Sequence, residues 1–137
     1  MAAGRDEKGQ SLVEIALLLP ILALLLVVVI DAARAFDAYI VLTNAAREGA
    51  RYGSFFRQEM SATDSYVEQV VVDDVRGSGT NLTRMDDFGL ANVTVEGMEE
   101  NSTAVTVTVS YDFGLYFGGL VGLDTFHLQK QAVMPVN

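Results

Sequence analysis

The sequence predicts an α+β chain. A long N-terminal helix, transmembrane in its first half, extends into a small head with a second helix and a three-stranded antiparallel sheet. Three observations carry this. Leu12 to Ile30 is an apolar run broken only by Glu14 and Pro20. Residues 31–53 continue in helix-forming side chains with no stop signal. Beyond residue 90 the chain alternates apolar and polar residues, the period of strands.

The composition fits two territories. The chain has 137 residues, room for one domain and little more, with 50% hydrophobic residues and a net charge of −9. Mean hydropathy is +0.29, too apolar for a disordered polar chain. Arg5, Lys8, Arg34, Arg47, Arg51 and Arg57 balance Asp6, Glu7, Glu14, Asp31, Asp37 and Glu48, so residues 1–57 are electroneutral. The whole net negative charge therefore falls on residues 58–137, where only Arg76, Arg84 and Lys130 are basic. A pI near 4.3 argues against nucleic acid as a partner. There is no Cys and hence no disulfide framework or thiolate metal site.

The apolar run spans roughly 28 Å at helical rise, close to the ~30 Å hydrocarbon core of a bilayer. Three readings compete. A cleaved secretory signal finds a small-x-small site at Ala33-Arg34-Ala35, releasing a domain that starts at Phe36, but the run is long for it. A plain signal anchor leaves Glu14 unexplained, since a carboxylate at bilayer depth costs about 2.5–3.5 kcal/mol on insertion scales. In the third reading a polar leader ends at Gly9, and Glu14 is the fifth residue after it. This resembles the class III signal of type IV pilins and pseudopilins, in which a membrane peptidase cuts after the glycine and the apolar helix is retained. The resemblance implies processing between Gly9 and Gln10. The exposed amine of Gln10 would then sit at the mouth of the apolar helix, and in this family the glutamate pairs with a neighbouring subunit's amine; the alternative is a carboxylate that snorkels to the membrane face. A charge pair in lipid costs less than two isolated charges. Pro20 removes one helical hydrogen bond, which membrane helices tolerate. Glu14 and Pro20 are thus the candidate assembly residues of the span.

The helix continues from Asp31 as a spine dense in alanine. Asp31, Arg34 and Asp37 form an i,i+3 charge ladder, and Glu48 can reach Arg51. Phe36, Tyr39, Ile40 and Thr43 mark one stripe; Ala46, Gly49, Ala50 and Gly53 form a small-residue patch suited to close backbone approach. Gly53-Ser54 is the expected stop, so a helix over Ser11–Tyr52 would be about 60 Å long.

Two motifs, Gly9-Gln-Ser-Leu-Val-Glu-Ile-Ala-Leu-Leu-Leu-Pro20 and Leu42-Thr-Asn-Ala-Ala-Arg-Glu-Gly-Ala-Arg-Tyr52, resemble the TadE-like family. These are pseudopilins of the tight-adherence (Tad/Flp, type IVc) pilus system. The resemblance covers about residues 9–53. It implies a minor pilus component, processed by the prepilin peptidase and needed for pilus assembly. The implied partners are that peptidase, other pilins and pseudopilins, the Tad assembly platform and the lipid bilayer. It also implies a single pass in the cytoplasmic (inner) membrane with the N-terminus inside and the head extracytoplasmic, and the extracellular pilus as a further destination. Asn44, Arg47, Glu48, Gly49, Arg51 and Tyr52 make a candidate partner-docking surface; the alternative is a helix packed on its own head. A single-pass anchored binding domain that never polymerises is the competing function.

The expected organisation is a leader at 1–9, a transmembrane helix at 10–30, a spine at 31–57 and an acidic head at 58–137. In the head, Ser61-Ala-Thr-Asp64 opens a helix to Arg76 with Gly77 as its stop. Strands are expected over Asn92–Met98, Ala104–Phe113 and Thr125–Val136, with a turn at Glu99–Ser102. Val105, Val107, Val109, Tyr111 and Phe113 share one face of the second strand; Phe126, Leu128, Ala132 and Met134 share one face of the third. The long helix is the available cover for that apolar face. Leu115–Leu123 is apolar but glycine-rich and reads as a loop, either folded over the core or contacting a partner through Phe117.

No chemistry of catalysis is legible. His127 has no second His or Cys to share a metal. Asp73-Asp74, Asp86-Asp87 and Glu99-Glu100 lack the spacing of a calcium loop and read as solvated charge. There is no nucleophile elbow or phosphate loop. The expectation is a structural or assembly protein, not an enzyme, with no cofactor and no metal.

Overall fold

The computed structural model describes residues 6–56, 63–78, 83, 85–99, 101–120 and 122–136. The start of the leader, Ser61-Ala62 and Glu100 of the expected turn lie outside them.

Helix α1 runs Asp6–Phe56 through Pro20 without a break, about 76 Å at helical rise. It exceeds the expected helix at both ends. Gly53 is not its stop. No glycine there adopts a left-handed conformation, and a Cβ on Gly53 would lie 2.9 Å from Val105 Cγ1 and 3.3 Å from Met98 Sδ. This glycine admits a close neighbour rather than ending the helix. The last turn holds through a Ser54 hydroxyl donating to the Arg51 carbonyl and through stacking of Tyr52 on Phe56.

Helix α2 is Asp64–Ser78. Its first turn bonds to the Thr63 carbonyl, which accepts the Tyr66 N–H at 2.9 Å. Gly77 is inside it rather than beyond it, and Val67, Val71, Val72 and Val75 are its buried face, so the Val70-Val71-Val72 run is helical here. A short 3₁₀ turn, Leu90–Asn92, leads into β1, Val93–Glu96. The strand is shorter than expected because Asn92 closes that turn: its side chain accepts the Gly89 N–H and donates to the Ser110 carbonyl. Gly97, at φ +87°, ends β1, and a Cβ there would lie 2.1 Å from the Ala104 carbonyl oxygen.

Strands β2, Ala104–Gly114, and β3, Thr125–Pro135, complete an antiparallel sheet of order β1-β2-β3. In its register Val95 opposes Val107, Val93 opposes Val109, and Tyr111 opposes Leu128. One face is polar: Thr94 opposes Thr108, and Asp112 opposes His127, whose Nδ1 lies 2.7 Å from Asp112 Oδ1. The other face packs under α1 and α2, as an antiparallel sheet with one apolar side requires.

The core joins all of these elements. Ala38, Leu42 and Ala45 of α1 meet Val67, Val71 and Val75 of α2 and Val105, Val107 and Val109 of β2. The stripe of Phe36, Tyr39 and Ile40 is not the buried one: Phe36 is 64% exposed, and it is the alanine side that faces the head. Small side chains let α1 approach the sheet, which bulky ones would hold off. Of the expected β3 face, Leu128 is buried and Ala132 and Met134 pack against the core, but Phe126 is 54% exposed. The same face also carries Lys130, whose ammonium donates to the Tyr39 hydroxyl at 2.8 Å.

Candidate functional site

The span and its junction with the head are the parts that bear on function. Residues 9–26 are exposed all round, and none touches the core. Leu12, Leu17 and Leu22 are exposed at 68%, 68% and 64%. A helix this apolar with no protein against it is stable in lipid rather than water, and it is long and apolar enough to cross a membrane. Glu14 is on this bare part of the helix. Gly9 is also helical, and nothing lies within 4 Å of a Cβ placed on it. A side chain at Gly9 would therefore not disturb the fold.

Where the bare helix meets the head, Asp31 and Arg34 are buried. Arg34 Nη1 donates to Asp31 Oδ1 at 3.1 Å, so the first half of the expected charge ladder exists. The ladder does more than brace its own helix. The Tyr116 N–H donates to Asp31 Oδ1 at 3.1 Å, and the Phe117 N–H donates to Oδ2 at 3.0 Å. The Arg34 guanidinium stacks on Tyr116, 3.5 Å from the ring centroid, with Phe113 at 4.9 Å. One carboxylate and one guanidinium thus clasp the 115–124 loop to the helix. Burial works against the Asp31 charge, but the two backbone donors and Arg34 outweigh it and hold the carboxyl below its ordinary range. Asp37, the third member, accepts a hydrogen bond from the Thr83 hydroxyl in the head.

The loop is itself closed by backbone bonds. Leu115 N–H donates to the Asp124 carbonyl at 3.1 Å, and Leu123 N–H to the Gly118 carbonyl at 2.9 Å. Its middle, Gly118–Leu120, is a 3₁₀ turn. Between loop and helix lies an apolar cleft of about 620 Å³, walled by Leu24, Val28, Phe36, Phe117, Leu123 and Phe126 among others. Phe117 is 41% exposed at its edge.

The candidate docking surface divides. Asn44, Arg47 and Arg51 are exposed, while Glu48 and Tyr52 are half-buried. Arg51 Nε donates to Glu48 Oε2 at 2.9 Å, as the spacing suggested. Tyr52 reaches α2, its hydroxyl 3.3 Å from that of Tyr66. Gly49 is buried: a Cβ there would lie 2.3 Å from Val71 Cγ2 and 3.5 Å from Val107 Cγ1. The small-residue patch thus receives the chain's own head. Among the described residues no group of three or more His, Asp or Glu is placed to hold a metal.

The clasp was missed in sequence because its partners are 85 and 86 positions apart. The only local signal was a charge pair placed directly after an apolar run.

No curated protein and no solved structure matches the chain. The comparison with protein families does give a match. Residues 9–51, from the glycine before the span through the span and the spine to Arg51, match the family described as TadE-like protein, so the long N-terminal helix of this chain is similar to that family.

Proposed function

We propose that this protein is a membrane-inserted pseudopilin, a minor component needed for assembly of Tad/Flp (type IVc) pili, and that it is processed by the prepilin peptidase after Gly9. The single observation that carries the reading is the apolar run from Leu12 to Ile30, exposed all round as far as Leu26, with one carboxylate, Glu14, near its start. An isolated carboxylate there is costly in lipid, and a neighbour's amine would reduce that cost. The new amine of Gln10 is such a group. In this reading the N-terminus faces the cytoplasm, the helix is retained in the inner membrane, and lateral packing of helices precedes entry into the pilus or its basal complex. The partners are the peptidase, other pilins and pseudopilins, the assembly platform and lipid. The role is structural rather than catalytic. The clasp favours retention of the helix, because cleavage after Ala35 would sever Asp31 and Arg34 from the loop that they hold.

Mass spectrometry of the mature N-terminus tests this, in cells with and without the peptidase. Gln10 as the first residue, dependent on the peptidase, supports the reading. Met1 or Ala2 in both strains indicates an anchored binding domain that never polymerises, and Phe36 indicates a released domain. Glu14→Gln should be processed normally and fail to enter pili.

A further inference from the structure

We propose that the 115–123 loop is an interfacial membrane anchor, and that the cleft between this loop and α1 is filled by phospholipid acyl chains of the leaflet facing the head. The inference rests on α1 spanning the bilayer.

The first argument is depth. The cleft wall on α1 includes Leu24, Val27 and Val28 as well as Phe36 and Tyr39. Leu24 lies seven residues before Asp31, about 10 Å toward the membrane at helical rise. A head held clear of the bilayer could not line a cleft with residues of the apolar run. The clasp at Asp31 sets this position, since it bonds the loop backbone directly to the helix at the end of the run.

Chemistry points the same way. Residues 115–123 carry no charge. Tyr116, Leu123 and Phe126 are 66%, 62% and 54% exposed, a cluster of the aromatic and aliphatic type found at membrane–water boundaries. The two polar side chains in the cleft wall are already engaged, Asp31 by the clasp and Tyr39 by Lys130. Those two hydrogen bonds leave the wall little with which to orient a polar ligand. A volume of about 620 Å³ is large for solvent against so apolar a surface. The cleft is continuous with the exposed apolar part of α1, so acyl chains around the span reach its mouth.

The chain has no Trp, so single-Trp variants of the full-length protein report local depth. Leu19→Trp marks the span, Phe117→Trp and Leu123→Trp mark the loop, and Tyr66→Trp marks the far side of the head. Each is reconstituted in phosphatidylcholine vesicles, with and without bromine on the acyl chains, at several protein-to-lipid ratios. Expected is a loss of roughly half the emission for Leu19→Trp, Phe117→Trp and Leu123→Trp in brominated vesicles, and no loss for Tyr66→Trp. Quenching of Leu19→Trp without quenching at positions 117 and 123 overturns the anchor while leaving the span intact. Blue-shifted, unquenched emission at 117 and 123 that grows with protein density assigns the cleft to a second copy, and also overturns it. If Leu19→Trp is unquenched, the membrane reading itself fails and the anchor falls with it.

Discussion

Asp31 Oδ2 accepts the backbone N–H of Phe117 at 3.0 Å across 86 positions of sequence. With the neighbouring bond from Tyr116 and the ion pair to Arg34, this ties the end of the apolar run to the head. The Asp31 half of the clasp meets only backbone N–H groups of the loop, whereas the Arg34 half rests on the Tyr116 ring.

Asp31→Asn keeps one acceptor oxygen but places an amide against an N–H donor. It should cost about 1–3 kcal/mol of head stability. Asp31→Ala removes both acceptors and should cost more, about 3–5 kcal/mol, the scale for breaking a buried ion pair. Urea unfolding in detergent micelles measures both, and amide exchange at Tyr116 and Phe117 should accelerate in each.

The clasp should also be sensitive to acid. Asp31 is held below its ordinary range when folded, so its contribution is fully present above the carboxyl range of the unfolded chain, about pH 4. It is lost as pH falls further, through the folded value. The stability gap between the wild-type chain and Asp31→Asn should therefore be constant from pH 7 to about pH 5 and shrink below about pH 4. A gap that stays the same at pH 3 would show that the carboxylate charge does not hold the loop.

Two glycines on one helix should respond oppositely. Gly49→Ala forces a methyl against Val71 and should destabilise the head by about 1–3 kcal/mol through overpacking. Gly9→Ala meets nothing and should leave unfolding unchanged, yet block conversion to the shorter mature form on a gel. Loss of stability in Gly9→Ala would make the processing result uninterpretable as recognition.

The exposed strip of the spine is separable from the fold. Arg47→Ala with Arg51→Ala removes two exposed arginines and with them the Arg51–Glu48 ion pair, and a surface ion pair adds little to stability. The unfolding midpoint should not move, while piliation should fall if the strip docks a partner. Phe117→Ser spares the backbone bond to Asp31 and should likewise keep the fold; if pilus assembly depends on the loop, its loss should be insensitive to salt. Normal piliation in both variants would remove these surfaces from assembly.

Much of the architecture was determined by the sequence alone. An apolar run, helix-forming alanines and strict strand alternation each act between residues a few positions apart, so the long helix, α2 and the three strands could be read from local pattern. The Glu48–Arg51 pair is local in the same sense. The match of residues 9–51 to TadE-like proteins also rests on sequence. What only the tertiary structure decided is how the helix meets the head. Gly53 reads as a helix stop until Val105 is seen against it, and Gly49 reads as an outward surface until Val71 is. Phe36 and Tyr39 mark one stripe of the spine, and only the fold shows that the alanine side is the buried one. Asp31 looks like one end of a helix ladder until the 115–124 loop docks on it. Each of these depends on atoms brought together by folding over long separations, where no period or propensity carries information.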